Sequence, residues 1–414
     1  MSPPIDAAAV AALADQPVDP RFKGLPATWA GRTPAEIVAA APDLFADGPL
    51  APVCVLDEPA LSHNLATMAR WCTEHGVQLA PHGKTHMSPQ LLARQFAAGA
   101  TAVTAATISQ VRIYRAFGVR EVILANQVVD PAGLCWLATE LDADPDFLPV
   151  CWVDSTAGVA LMDRELAGTA RRLDVCVEVG ATGGRTGCRS AADADAVARA
   201  VSASAQLRLV GVAGYEAALG QDVSEPARSV IAGYLSTVRD AVVRLAPLIE
   251  ADDILVTAGG STHFDLVAQL LTRWPANLRV RTVLRSGCYL THDEGLYLRS
   301  SPLTRDNPAG LRPALSVWAR VLSAPEPGLV LAGLGRRDVS FDAGMPVPHT
   351  LAGAQVSALN DQHAFVRVPA DAAPAVGDWM QFGISHPCTT FDKWPMIPVL
   401  DAKGRVVDLV RTFF

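Results

Sequence analysis

The sequence predicts an α/β protein: a (β/α)8 barrel of the TIM type followed by a C-terminal all-β domain. In the first part of the chain, eight short apolar runs alternate with stretches of helical periodicity, and this alternation over roughly 230 residues is typical of parallel βαβ units closed into a barrel. After about residue 300, short apolar segments are separated by turn residues. We therefore expect residues 1–50 to form an N-terminal extension, 51–300 the barrel and 301–414 the β domain.

The elements are predicted in a regular order. Residues 1–50 are rich in Ala, Pro and Asp, and their weak periodicity predicts a helical or irregular extension. Val53–Leu56 is an apolar run expected to belong to another sheet, and Leu61, Leu65 and Met68 recur at helical spacing. The barrel strands are predicted near Val77–Ala80, Ala102–Thr104, Val122–Ala125, Val150–Val153, Val175–Val179, Leu209–Ala213, Ile254–Thr257 and Val280–Leu284. Helices are predicted between them, for example at Ser88–Ala98, Ile108–Phe117 and Pro226–Leu245, and later strands at Leu315–Val321, Leu329–Leu331, Ala364–Val368 and Trp379–Phe382.

Composition excludes several classes of partner. The 414 residues are 50% hydrophobic and carry a formal net charge of −8. An acidic chain without Lys/Arg clusters argues against nucleic acid and anionic membranes as partners. The eight cysteines form no CxxC pair, the N-terminus lacks the features of a signal peptide, and no run of 18 apolar residues occurs. We therefore expect a cytoplasmic protein with reduced thiols.

Polar residues follow the predicted strands, where barrels of this type carry their active sites. Gly259-Gly260-Ser261-Thr262 follows the seventh strand. Its glycines allow close backbone approach to an anion, and a helix beginning near Phe264 would direct N–H groups at a phosphate. Lys84 follows the first strand between two histidines, and a partly desolvated lysine can attack an aldehyde as a neutral amine. An amine and a phosphate site at one barrel end predict pyridoxal phosphate.

Four motifs then resemble a known family. They are the lysine motif Pro81–Pro89, Gly184-Arg185-Thr186-Gly187, Gly335–Val339 and His386-Pro387-Cys388-Thr389. In this order they are similar to the D-threonine aldolase and D-serine dehydratase family of fold-type III pyridoxal-phosphate enzymes. That resemblance implies an alanine-racemase-like barrel, a C-terminal β domain and a homodimer, and it extends from about residue 50 to the C-terminus.

The resemblance also implies roles for individual residues. Lys84 would bind the cofactor covalently, and Arg185 would lie near its ring. The phosphate end would be held by Gly260, Ser261, Thr262, Gly287 and Cys288, and Tyr215 and Tyr289 would line the cofactor or the substrate. Two positions depart from the family pattern, because Ala80 stands where members often carry Arg and Cys288 where they often carry Asn.

His386-x-Cys388 is a candidate metal pair. On an extended segment, residues i and i+2 point to one face, and imidazole with thiolate suits zinc. Two ligands alone do not distinguish a metal site from a buried cysteine beside a capped histidine. In the resembled family this position is the metal site for Zn²⁺ or another divalent cation, and His-x-Cys is typical of the dehydratase branch, whereas His-x-Asp is typical of the aldolases.

The predicted function is a metal-assisted lyase that dehydrates and deaminates a D-3-hydroxy amino acid, with D-serine giving pyruvate and ammonia. The alternatives are a 3-hydroxy-D-aspartate dehydratase and a D-threonine aldolase, which share the cofactor and fold. A racemase is less favoured, because it needs no metal. The alternative from another class is a non-catalytic pyridoxal-phosphate carrier, but a lone-barrel carrier would lack the C-terminal domain.

Overall fold

The computed structural model describes residues 3–305, 307, 310–369 and 374–414. The strands are β1 Val53–Asp57, β2 Gln78–Leu79, β3 Val103–Ala105, β4 Glu121–Gln127, β5 Leu148–Val153, β6 Leu173–Val179, β7 Leu207–Gly214, β8 Ile254–Ala258, β9 Val280–Leu284, β10 Leu315–Glu326, β11 Leu329–Ala332, β12 Val347–Pro348, β13 Gln355–Leu359, β14 Ala364–Arg367, β15 Trp379–Gly383, β16 Met396–Leu400 and β17 Val406–Arg411. The helices are α1 Ala7–Ala11, α2 Pro34–Ala40, α3 Glu58–Glu74, α4 Pro89–Ala97, α5 Ile108–Ala116, α6 Pro131–Ala143, α7 Thr156–Glu165, α8 Ala191–Ala203, α9 Glu225–Leu245, α10 Phe264–Leu270, α11 Leu296–Ser300, α12 Pro302–Arg305 and α13 Cys388–Phe391.

Strands β2 to β9 form the predicted parallel barrel. Their order in the sheet is β2-β9-β8-β7-β6-β5-β4-β3. The two ends of this series are joined where the Thr101 N–H donates to the Leu79 carbonyl and the Thr104 N–H to the Pro81 carbonyl, each at 2.9 Å. Every apolar run predicted as a barrel strand overlaps one of these strands, so the fold class is confirmed.

Four of the barrel helices, α5 to α8, begin at short polar residues that cap them. Thr107, Ser155 and Ser190 each accept a hydrogen bond from the backbone N–H three residues later, and Asp130 accepts two such bonds beside Pro131. These side chains satisfy N–H groups that have no partner within the helix. Each cap therefore fixes where the chain leaves a strand and turns into the next helix.

Buried apolar side chains fill the barrel interior. Trp152 of β5 is the largest, and its neighbours in this cluster include Ala80, Ile123, Val210 and Leu255. These residues come from strands around the whole sheet. The interior is therefore a packed core, which leaves the strand ends to carry the chemistry.

The second sheet is mixed and contains β1, as the sequence predicts. Its order is β13-β14-β11-β10-β1-β16-β17, and β15 pairs with both β10 and β12. Strand β1 lies antiparallel to β10 and parallel to β16. The chain forms two units. The barrel unit comprises the described residues up to Asp6, Ala69–Lys84 and Gln95–Gly287, and the second unit comprises Ala7–Met68, Thr85–Arg94 and Cys288–Phe414.

Most of the N-terminal 50 residues are part of the second unit. Val18, Phe22 and Trp29 share one buried cluster with Met396 and Leu409 of β16 and β17. Helix α2 begins with a capping box, in which Thr33 and Glu36 each accept a hydrogen bond from the other's backbone N–H. The predicted boundaries at residues 50 and 300 therefore do not coincide with the units. No helix within the described ranges is both long and apolar enough to cross a bilayer.

Candidate active site and metal centre

Lys84 lies exposed in the turn that follows β2. The backbone before it is held by the buried Tyr114, whose hydroxyl donates to the Gly83 carbonyl at 2.8 Å. A Cβ at position 83 would lie only 2.5 Å from the Tyr114 ring and hydroxyl. Gly83 and Tyr114 of α5 therefore fix the backbone that carries Lys84.

Two buried polar atoms, one after β2 and one at the end of β4, lack partners. Within the described part of the chain, His82 Nδ1 and Gln127 Oε1 form no hydrogen bond. The pKa of His82 is held well below its ordinary value, first by burial and then by the positive charges of Lys84, Arg285 and Arg185. Orphaned buried atoms call for a polar partner outside the protein. The unused hydrogen-bonding capacity of these atoms at the C-terminal ends of barrel strands fits a polar ligand such as pyridoxal phosphate bound through Lys84.

The glycine turn after β8 binds a carboxylate of the protein itself. The Gly259 and Gly260 N–H groups donate at 2.9 and 2.7 Å to the two carboxylate oxygens of the buried Glu216. The Ser286 hydroxyl donates to the Gly260 carbonyl at 2.8 Å. Glu216 therefore occupies the Gly260 N–H that was predicted to bind the cofactor phosphate. Of the predicted phosphate residues after it, Ser261 is half-buried and Thr262 is buried, and α10 begins at Phe264 as expected.

A buried charged network below this turn is not visible in any sequence motif. Arg285 donates to Thr257 Oγ1 at 2.7 Å and to the Gly214 carbonyl at 2.6 Å. Burial lowers its pKa, and Glu216 and Glu178 act against this shift. Glu178 in turn accepts a 2.6 Å hydrogen bond from Gln127 Nε2. The feature of the sequence that could have indicated this network is an arginine directly after an apolar strand.

Arg185 and Tyr215, both predicted near the cofactor, contact each other. The Arg185 guanidinium lies 4.3 Å from the centre of the Tyr215 ring. The loop that carries Arg185 is held from behind by Arg189, which donates at 2.9 Å each to the carbonyls of Thr186, Gly187 and Gly184 and also bonds that of Arg185. The cation–π pair therefore stands on a loop with a fixed backbone.

His386 and Cys388 lie close together, but not on an extended segment. Pro387 has φ −70° and ψ −31°, and α13 begins at Cys388. The predicted i, i+2 geometry of a strand is therefore wrong; proline, whose φ suits the start of a helix, turns the chain instead. The His386 Nδ1 lies 2.6 Å from Asp342 Oδ2, and Asp342 also accepts from Thr389 Oγ1 at 2.8 Å. With Nδ1 bonded to a carboxylate, Nε2 is the nitrogen left for a metal ion.

Cys288 joins this pair. Its Sγ lies 3.4 Å from Cys388 Sγ, and one ligand atom from each of Cys288, His386 and Cys388 falls within 4.8 Å of the others. The hydrogen bond to Cys388, together with burial, raises the pKa of the Cys288 thiol well above its ordinary value. Ligands of a tetrahedral zinc ion lie about 3.3–3.8 Å apart. The distance between the two sulfur atoms lies in this range, and the donor set of two thiols and an imidazole suits zinc.

The two remaining predicted residues lie next to Cys288 in sequence. Gly287 is the last residue of the barrel unit, and Tyr289 is buried in the short helical turn Cys288–Leu290. Cys288 was predicted at the cofactor phosphate, whereas its side chain lies beside the metal pair. Asp342 had no sequence signal, since it stands in no motif and is 44 positions from His386.

Comparisons with known proteins agree with this architecture. The family model described as "Alanine racemase, N-terminal domain" matches residues 56–292, and the one described as "Putative serine dehydratase domain" matches residues 314–400. A D-threonine aldolase of Arthrobacter sp. is 27% identical over 350 residues, which cover 82% of this chain and 86% of that protein.

Solved structures show the same fold. The D-threonine aldolase of Filomicrobium marinum superposes with a TM-score of 0.76 at 24% identity, covering 89% of this chain and 96% of its own. The D-threo-3-hydroxyaspartate dehydratase of Delftia sp. HT23 has a TM-score of 0.69 at 22% identity, covering 88% and 97%. With the racemase model matching more than half of the sequence, the chain belongs to the fold-type III pyridoxal-phosphate enzymes that carry an alanine-racemase-like barrel and a serine dehydratase domain.

Proposed function

We propose that the protein is a pyridoxal-phosphate- and metal-dependent lyase that dehydrates a D-3-hydroxy amino acid, with D-serine as the first substrate to test. The observation that carries the proposal is the His386–Cys388 pair, which presents a thiol where an aldolase-type site would present a carboxylate. The lysine turn, with its orphaned polar atoms, supports the cofactor. The curated relatives are named for D-threonine and 3-hydroxy-D-aspartate, so they support the wider substrate class.

Lys84 and the residues around it would supply the chemistry at the α-carbon. Pyridoxal phosphate, when bound through Lys84, supplies an electron sink for the charge left at this carbon. Tyr114 and Gly83 orient the Lys84 amine, which can accept the α-proton once the substrate amine has taken its place. The low pKa of His82 keeps that imidazole neutral, so it adds no positive charge that would oppose protonation of the lysine.

The metal ligands would supply the chemistry at the β-oxygen. A divalent cation, when held by His386 and Cys388, supplies a Lewis acid that makes hydroxide a better leaving group. Asp342 fixes the His386 ring through Nδ1 and raises its basicity as a ligand. Loss of the α-proton and of the β-hydroxyl removes one water from the substrate. The enamine that results hydrolyses to a keto acid and ammonia.

The test is a product assay on purified protein loaded with cofactor and zinc. D-serine, 3-hydroxy-D-aspartate, D-threonine and L-serine are compared, and keto acid, ammonia, glycine and acetaldehyde are measured. We expect a keto acid and an equal amount of ammonia from a D-substrate, with none from L-serine. Lys84→Ala should abolish both the product and the visible absorbance of the bound cofactor, whereas the exposed Lys403→Ala should retain both.

The outcomes separate the candidates. Glycine with acetaldehyde from D-threonine, without keto acid from any substrate, would make the protein an aldolase and overturn the proposal. Keto acid from 3-hydroxy-D-aspartate but not from D-serine would keep the dehydratase and change its substrate. Cofactor bound at Lys84 with no product from any substrate would favour the non-catalytic carrier. The homodimer belongs to the same proposal, and light scattering should give a mass of twice 43.6 kDa.

A further inference from the structure

The His386–Cys388 pair has a third soft neighbour that the proposed function does not use. Cys288 lies one hundred positions earlier in sequence, in the short turn after β9. Its thiol is 5% exposed and lies 3.4 Å from that of Cys388. Among the described residues, these two cysteines and His386 form the group of metal-ligating side chains whose atoms all lie within 4.8 Å of one another.

We propose that Cys288 is a protein ligand of the metal, so that the centre is a Cys2His zinc site with one coordination position left open. This inference rests on the metal requirement of the proposed function and deepens it, because it fixes the number of ligands, the metal and the mode of substrate binding. Three protein ligands with one open position is the usual arrangement of catalytic zinc.

The surroundings of the three ligands support this assignment. The Thr85 hydroxyl is buried and lies 3.5 Å from Cys388 Sγ and 3.9 Å from Cys288 Sγ, so it faces both sulfurs. Asp342 holds His386 by Nδ1. A hydroxyl beside the thiols and a carboxylate behind the imidazole are the outer partners that orient the ligands of a metal ion. A plain hydrogen bond between two thiols would require neither.

The ligand set selects the metal. Thiolates are soft ligands that favour zinc, whereas carboxylates suit Mg²⁺ and Mn²⁺. Two thiolates also neutralise the charge of one Zn²⁺ ion. We therefore expect tight zinc binding, little activation by Mg²⁺ or Mn²⁺, and a milder Lewis acid than a site with a single anionic ligand would give.

The open position limits how a substrate can bind. In tetrahedral geometry it accepts one oxygen atom, which replaces a water molecule. The β-hydroxyl is the group that must leave, so this oxygen is the one that the zinc should take. The substrate carboxylate is then left to other groups of the protein. Substrates are therefore discriminated at the zinc by the position of their hydroxyl.

The experiment counts sulfur atoms around the metal. X-ray absorption of zinc-loaded wild-type protein should show two sulfur neighbours at about 2.3 Å and nitrogen or oxygen neighbours at about 2.0–2.1 Å. Cys288→Ser should lose one sulfur neighbour and bind zinc at least ~10-fold more weakly, which is the lower range for losing an outer partner alone. The exposed Cys135→Ser should show the wild-type shell and affinity.

A single sulfur neighbour in the wild-type protein would overturn the proposal, and this readout does not depend on the folding of any variant. Wild-type affinity and sulfur count in a folded Cys288→Ser protein would overturn it equally. Neither measurement uses turnover. Two sulfur neighbours in a protein that forms no keto acid would therefore uphold the ligand set and reject the dehydratase, and keto acid formation with one sulfur neighbour would do the reverse.

Discussion

At residue scale, position 83 leaves no room for a side chain. A Cβ there would lie 2.5 Å from the buried Tyr114, whose hydroxyl also bonds the Gly83 carbonyl. We predict that Gly83→Ala destabilises the protein by about 1–3 kcal/mol, the usual cost of overpacking. Because the displaced backbone carries Lys84, the variant should also lose visible cofactor absorbance. Urea unfolding and an absorbance titration with pyridoxal phosphate measure the two effects.

Gly233→Ala is the matched control for this prediction. Gly233 lies within α9, and a Cβ added there meets nothing within 4 Å. Alanine in a helix is favoured over glycine by roughly 0.5–1 kcal/mol, so this variant should be as stable as wild type or more stable. Equal stability and cofactor binding in the two variants would show that Tyr114 does not constrain the lysine turn.

Site residues that could be predicted from the sequence differ from those that could not in their distance along the chain from the residues they contact. Lys84 and the His386–Cys388 pair stand in short local motifs, and the resemblance of these motifs to a known family predicts their roles. Asp342 and Cys288 contact that pair across 44 and 100 positions. No local pattern encodes such contacts, because they arise only when separate loops are brought together by the fold.

At element scale, the loop Gly183–Gly187 depends on one side chain. The Arg189 guanidinium bonds four of its carbonyls. Lysine has a single donor group and cannot reproduce that planar fork. We predict that Arg189→Lys raises amide hydrogen exchange in residues 183–187 by at least ~10-fold, since a loss of about 1.4 kcal/mol in local stability corresponds to that factor. Arg199→Lys, an exposed change on α8, should leave exchange in the loop as in wild type.

A second element is tied down by an ion pair that depends on pH. His349 follows β12 and bonds Glu294, and this hydrogen bond raises the pKa of the histidine. The folded protein therefore binds this proton more tightly than the unfolded chain, so the stabilisation is full below the ordinary pKa of about 6.5 and is lost as pH rises through the higher folded value. His349→Asn should lower the melting temperature at pH 5.5 and have less effect at pH 8.5. A difference that grows with pH would contradict this assignment. The effect should be small, because the pair is partly exposed to solvent.

The elements that pattern analysis missed have identifiable reasons. Strand β16 contains Pro398, which pattern rules count against a strand. It nonetheless pairs with both neighbours, since β1 lies parallel to it and β17 antiparallel. The apolar pattern of β17 is interrupted by Asp408, and β13 is short and largely exposed. The barrel strands were predicted because burial on both faces makes their sequences continuously apolar.

At the scale of the whole molecule, the division of the chain into two units could not be predicted from the sequence. Segments near both ends of the chain form most of the second unit, and most of the barrel unit lies between them in sequence. The weak hydrophobic periodicity of residues 1–50 predicts an extension. Their few large apolar residues instead complete a core with β1, β16 and β17, and only tertiary packing reveals this.

This arrangement predicts that the N-terminal segment stabilises the fold. Trp29 is fully buried, and its Nε1 donates to Asp47 Oδ2 at 2.8 Å. We predict that Trp29→Ala lowers the free energy of unfolding by about 3–5 kcal/mol, the usual cost of removing a buried aromatic side chain. Trp274→Ala, which removes a tryptophan that is only half-buried, should cost much less. Urea unfolding of both variants measures the difference. If residues 1–50 were only an appended extension, Trp29→Ala would unfold at the same urea concentration as wild type, because an appendage contributes nothing to the core to which Met396 and Leu409 belong.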